Sequence, residues 1–289
     1  MSDEEAGKPT AGVAAAAGGM PSGDDKALVQ AQFGAHAANY VTSVVHAKGA
    51  SLQRLVEVVA PQADWQVLDV ATATGHTAFA FAPHVAEVVA SDITGPMLEQ
   101  AQALARERGI TNVTTARADA ESLGFEDARF DLVTCRIAPH HFTNIAAFLS
   151  SAHRVLKPHG TLAIVDNIAP DALSTPGFDA TALRDAAVTY NAFETLRDPS
   201  HARALALAEW RELLGDTGFT LRHEERLAKD MAFTPWAERL GASPAVIDRL
   251  REMLGQASPA LEAFLRPREH EGDIWFTLDE ALLVASRGA

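Results

Sequence analysis

Residues 66–81, Gln-Val-Leu-Asp-Val-Ala-Thr-Ala-Thr-Gly-His-Thr-Ala-Phe-Ala-Phe, constrain the fold more than any other stretch. An apolar strand reaches Asp69, a loop of small residues runs to Gly75, and a helical pattern begins at once. Small residues let a backbone approach a ligand closely, and a first helical turn presents unpaired N–H groups. About twenty residues further on, Asp92 closes a second apolar run, Val88-Val89-Ala90. An acid at the end of the second strand of a βαβ unit is placed to hold both hydroxyls of a ribose. Together these features describe a nucleoside pocket. The plainer alternative is an ordinary strand-to-helix turn with no ligand.

Dinucleotide sites use G-x-G-x-x-G, whose glycines make room for a pyrophosphate. The loop here reads Ala71-Thr72-Ala73-Thr74-Gly75 and does not fit that pattern. An acid directly before the loop repels a pyrophosphate and suits an ammonium group instead.

The chain has 289 residues, 47% hydrophobic and 21% charged, the balance of a globular protein able to bury a full core. A formal net charge of −14 argues against a nucleic-acid substrate, because phosphate binding needs a basic face. The single cysteine, Cys135, allows no intrachain disulfide, lies in an apolar run and agrees with a reducing cytoplasm. Residues 1–23 are rich in Gly, Ala, Ser and Pro after an acidic start, and lack the basic-then-apolar order of a secretory signal. They are expected to form a disordered tail, and no apolar stretch is long enough to span a membrane.

From residue 50 strand and helix patterns alternate, as a parallel sheet with covered faces requires. The expected strands are 66–70, 86–91, 112–117, 130–135, 160–166, 219–226 and about 277–286. Lys157-Pro158-His159-Gly160 reads as a stop between a helix and the fifth strand. Residues 170–206 and 229–272 carry helical patterns broken by prolines, and are expected to form a cap on a single domain spanning 24–289.

The whole pattern resembles the class I S-adenosylmethionine-dependent methyltransferases, in the small-molecule branch related to ubiquinone and menaquinone C-methyltransferases. The resemblance rests on Asp69 to Gly75, Asp92-Ile93-Thr94 with Met97-Leu98, and Asp119-Ala120-Glu121 with Phe125. Phe130-Asp131-Leu132-Val133, Arg136-Ile137-Ala138-Pro139-His140-His141-Phe142 and Leu156 to Gly160 complete it. Ala71 and Ala73 stand where the family has glycines, which tightens the loop. The implied fold is α/β: a Rossmann-like, seven-stranded, mostly parallel sheet with helices on both faces, its last strand antiparallel, plus the helical cap.

The resemblance implies that Asp69, Ala71, Thr72, Ala73 and Gly75 serve the methionine end of the cofactor, S-adenosyl-L-methionine. It gives Asp92 the ribose hydroxyls, Ile93 and Met97 the two faces of the adenine, and Asp119 and Ala120 the adenine edge. Arg136 belongs to the same cofactor set, and Tyr40 to a helix that closes over the site. A helix merely packed on the sheet is the alternative for the segment around Tyr40. Glu121 reads as solvated.

His140 and His141 follow the fourth strand at the end where an acceptor would meet the cofactor, and either is a candidate general base. A structural role at a helix start remains the other reading. Arg197-Asp198-Pro199-Ser200-His201 resembles a run in uncharacterised bacterial members of the branch, with a capped turn as its alternative.

The expected activity is methyl transfer to a small apolar or aromatic acceptor, at carbon or oxygen. A protein of this fold that binds S-adenosylmethionine for a pericyclic, decarboxylative or regulatory purpose is the competing class. No metal-ligand spacing is present, the expected location is the cytoplasm, and a homodimer is left open.

Overall fold

The computed structural model describes residues 26–28, 30 and 49–288. Tyr40 and the tail assigned to residues 1–23 lie outside the described residues.

Near-continuous apolar runs build strands that are buried on both faces, as in parallel sheets covered by helices. Strand β1 (Gln66–Val70) pairs in parallel with β2 (Glu87–Asp92) on one side and β4 (Phe130–Arg136) on the other. Strand β3 (Val113–Arg117) extends the sheet beyond β2, and β5 (Leu156–Asn167) lies beside β4. Strand β8 (Asp273–Arg287) runs antiparallel between β5 and β6 (Phe219–Ala232), and the short β7 (Arg268–His270) pairs with β8. The order is β3-β2-β1-β4-β5-β8-β6. Connections therefore diverge to opposite sides at β1 and β4, which opens a crevice at their carboxyl ends.

Helices α1 (Ala50–Val59), α2 (His76–Phe81), α3 (Gly95–Glu107), α4 (Ile145–Val155) and α6 (Leu207–Asp216) flank the sheet at the places the apolar periodicity predicts. One face buries a large cluster that includes Phe148, Leu149 and Trp210; the other buries Leu55, Phe81, Val88 and Leu132. Asn144 caps α4 by accepting the N–H of Ala147 at 2.9 Å.

The sheet has eight strands rather than the expected seven, the short β7 being the addition, and two of the expected strands also differ. Lys157 to Gly160 does not stop the helix before a new strand; β5 starts at Leu156 and carries these residues as a bulge. Phe130 pairs with Leu156 but Leu132 pairs with Thr161, and His159 takes a left-handed φ of +63° at the excursion. Strand β6 continues to Ala232 rather than ending at 226, because β8 pairs with it along that whole length. The two form a long hairpin that overshoots the parallel strands.

Segment 170–206 contains α5 (Ala180–Arg197), capped by Asp179. Segment 229–272 contains the end of β6, then α7 (Phe233–Glu238), α8 (Pro244–Gly255), α9 (Pro259–Leu265) and β7. Tyr190 and Phe193 of α5 pack on Phe264 and Trp236 at ring distances of 5.5 and 4.9 Å. No helix among the described residues is long and apolar enough to cross a membrane.

Candidate active site

A cleft of about 1520 Å³, counted out to its open mouth, lies at the carboxyl ends of β1, β2 and β4. Ala71, Thr72 and Ala73 line it, as do Asp92, Ile93, Met97, Asp119, Ala120, Arg136, His140 and His141. Asp69 and Gly75 do not. Asp69 is fully buried behind the loop, where its carboxylate accepts from the hydroxyls of Thr72 at 2.5 Å and Thr134 at 2.7 Å. Burial raises its pKa to about 6 against those hydrogen bonds. Its contribution is to the shape of the loop.

Ala71 and Ala73 have φ of +53° and +48°, the left-handed conformation that glycine adopts freely. The loop thus keeps a glycine-type path with methyl groups in place. Gly75 has φ of +89°, and a Cβ there would stand 2.6 Å from the Phe79 ring, so a larger residue would be strained and would displace that ring. Asp92 pins the loop from the side: its carboxylate accepts the N–H of Ala73 at 2.9 Å and of Thr94 at 2.8 Å. Burial nonetheless raises its pKa. Thr74 turns a buried hydroxyl without a partner among the described residues into this region.

Lys26 Nζ lies 2.6 Å from Asp119 and 2.8 Å from Glu121. Glu121 is not solvated. It accepts the N–H groups of Thr143 and Asn144 and the hydroxyl of Thr143, fixing the segment that follows the histidine pair. These partners hold its carboxyl below the usual range although burial opposes them.

After β4 the chain turns sharply. Arg136 is partly buried, and its Nε donates to the Thr77 hydroxyl at 3.1 Å. Ile137 has φ of +52°, an unfavourable state for a β-branched residue, held by its N–H bond to Val165 at 2.7 Å. This turn drops His140 and His141 into the cleft. Nδ1 of His140 donates to Oδ1 of Asp166 at 2.5 Å, and both groups are buried. Burial pushes the imidazole toward neutrality, but the charge and hydrogen bond of Asp166 outweigh it, leaving a pKa above 6.5.

His141 behaves oppositely. Nδ1 donates to the carbonyl of Ser200 at 2.9 Å, and burial with the neighbouring His140 pushes its pKa down to about 3. The carbonyl of His140 accepts N–H groups of Ala202 and Arg203, each at 2.9 Å. The run Arg197 to His201 is therefore packed on the histidine pair, and also forms a turn in which Ser200 donates to Asp198. His201 donates from Nε2 to Asn191 at 2.9 Å.

Sequence reasoning missed Asp166, the partner of His140 behind the cleft wall, although it carries the signal that identifies Asp92, an acid closing an apolar strand. It also missed Asn167, Lys229, Met231 and Trp236, which line the cleft and which nothing in local sequence marks. Among the described residues no cluster of His, Cys, Asp and Glu has the arrangement of a metal site.

Residues 67–160 match a family described as "Methyltransferase domain". The uncharacterized methyltransferase YcgJ of Bacillus subtilis (strain 168) is 33% identical over 222 residues, 77% of this chain and 82% of that protein. The chain belongs to the class I S-adenosylmethionine-dependent methyltransferases.

The crystal structure of BH2331 from Bacillus halodurans C-125 is similar to this methyltransferase at a TM-score of 0.76 and 35% identity, covering 83% of this chain and 100% of that one. The ubiquinone/menaquinone biosynthesis C-methyltransferase UbiE of Shewanella oneidensis is 37% identical over 115 residues, 38% of this chain and 46% of that protein. S-Adenosylmethionine is the methyltransferase's cofactor. The cleft suits it: carboxylates stand at two places along one wall, and a close-approach loop and a half-buried guanidinium stand at the other end.

Proposed function

We propose that this methyltransferase acts on a small apolar or aromatic acceptor, at carbon or oxygen, with His140 as the base that accepts the acceptor's proton. The carrying observation is the 2.5 Å bond from His140 Nδ1 to Asp166, on a residue that lines the cleft.

A hydrogen bond from Nδ1 fixes the neutral ring in the tautomer whose lone pair is on Nε2. Asp166 orients that ring and stabilises it once protonated. His141 is the weaker base of the two, because burial and the neighbouring His140 push its pKa down to about 3.

When bound, the cofactor supplies an electrophilic methyl group on a sulfonium. The residues that would hold it are Asp92 at the ribose, Ile93 and Met97 at the adenine faces, and Asp119 with Ala120 at the adenine edge. Ala71 to Ala73 and Arg136 would take the methionine end, with Asp69 and Gly75 shaping the loop. Positioning an acceptor in line supplies much of the rate, and the walls from 170–206 and 229–272 are read as the cap that does so. The wall chemistry and the net charge of −14 favour a small molecule over nucleic acid, and the buried single thiol agrees with a cytoplasmic enzyme.

The test uses labelled S-adenosylmethionine and a fractionated metabolite extract. Label should move to a small organic product, and His140→Gln should lose that transfer while still binding S-adenosylhomocysteine. Cofactor retention with no labelled product from any fraction would favour the non-transferring alternative.

A further inference from the structure

Charged residues from two parts of the chain line the cleft. Asp92, Asp119 and Glu121, together with Lys26 and Arg136, belong to the part proposed for the cofactor, whereas Arg197, Lys229 and Arg239, with Asp198 as the acid among them, come from later in the chain. Such a convergence of cations runs against a chain whose net charge is −14.

Two of these cations are held from behind. Glu194 accepts from Arg197 Nη2 at 3.1 Å, and Glu280 accepts from Lys229 Nζ at 3.1 Å. Both glutamates are almost fully buried and neither reaches the cleft wall. Arg197 and Lys229 themselves do line it. The Arg197 side chain is only 9% exposed, its guanidinium lies 4.6 Å over the Trp236 ring, and its Nε and Nη1 have no hydrogen-bond partner among the described residues. Buried guanidinium donors are rarely left unmatched in a finished site. Lys229 retains two further donors after Glu280. Met231, Trp236 and Leu278 supply apolar lining from the same later part of the chain.

We propose that the acceptor is an apolar or aromatic carboxylic acid, its carboxylate received by Lys229 and Arg197 and its body lying on Trp236, Met231 and Leu278. This rests on the methyltransferase reading of the same cleft. A monoanion suits the wall better than a phosphate dianion, because Glu194, Glu280 and Asp198 already offset much of the positive charge. The cofactor's own carboxylate would go to the methionine end proposed above, where Arg136 lines the cleft.

The test is calorimetry on the full chain saturated with S-adenosylhomocysteine, so that the cofactor's carboxylate is already accommodated. The probes are benzoate and hexanoate, with benzamide and hexanamide as neutral isosteres and phenyl phosphate as the dianion. Each acid should bind at least about tenfold more tightly than its amide, as a charge-assisted hydrogen bond provides. Lys229→Gln should abolish that preference, and a second variant, Arg197→Lys, should weaken it while retaining a charge on Glu194. Bound S-adenosylhomocysteine verifies that each variant is folded. Amides binding as well as acids, acids not binding up to their solubility, or phenyl phosphate binding more tightly than benzoate would each overturn the proposal. Failure of S-adenosylhomocysteine to bind the wild-type protein would instead overturn the reading of the cleft beneath it.

Discussion

The carboxylate of Asp92, at the end of β2, reaches across to the N–H of Ala73 in the neighbouring loop at 2.9 Å. One acid thus holds the loop in place and faces the cleft. Asp92→Ala should weaken S-adenosylhomocysteine binding by about 2–3 kcal/mol, from lost charged hydrogen bonds and a loosened loop. Calorimetry giving an affinity within about threefold of wild type would place the ribose elsewhere.

Ala71 and Ala73 occupy left-handed backbone that costs a non-glycine residue roughly 1–2 kcal/mol. Ala73→Gly should therefore stabilise the protein by about 1 kcal/mol, the relieved strain less the added freedom of the unfolded chain. Denaturant midpoints read this directly, and a fall in the midpoint would refute it.

Activity should depend on His140 with a definite sign. Its pKa lies above 6.5 and its neutral form is the base, so kcat/KM should rise with pH through that value and then level. Asp166→Asn removes the raising charge and leaves burial, so the rise should move to lower pH while turnover drops. His140→Gln should cost about 10²–10⁴-fold in turnover and abolish the rise. A pH profile unchanged in both variants would return the pair to a structural role.

His201 should make the fold acid-sensitive. Burial, then the charges of His140, His141 and Arg197, push its pKa down to about 2, against about 6.5 unfolded. Below pH 6.5 the unfolded chain takes up a proton that the folded chain refuses, so this stability is present above 6.5 and lost as pH falls. The wild-type advantage over His201→Gln should shrink by about 1.4 kcal/mol per pH unit below that point. Parallel stability–pH curves for the two proteins would contradict it.

The sheet was legible because its signals are local: apolar runs, acids at strand ends, and small residues between β1 and α2. That Asp92, Met97 and Asp119 line the same cleft followed from the same order. Lys157 to Gly160 misled because proline and glycine punctuate a bulge as readily as a helix end, and only the register with Phe130 and Leu132 distinguishes them. Strand β6 was read short because the charged residues crowded into 223–230 hide the apolar alternation of a strand. Glu121 looked solvated because its partners, Thr143 and Asn144, arrive from another loop. Asp166 against His140, and Arg197 against Trp236, are long-range pairings with no trace in local spacing.

The overshooting β6–β8 hairpin has a consequence for how such an enzyme changes its chemistry. Apart from Lys26, the residues proposed to hold the cofactor come from 71–138, while much of the remaining lining comes from residues 197–278, on α5, α7 and the hairpin tip. The two sets are therefore separate tracts of one polypeptide, joined by a shared sheet. On the proposed assignment, a chimera that exchanges the later tract between relatives would exchange the acceptor's surroundings and keep the residues that hold the nucleoside.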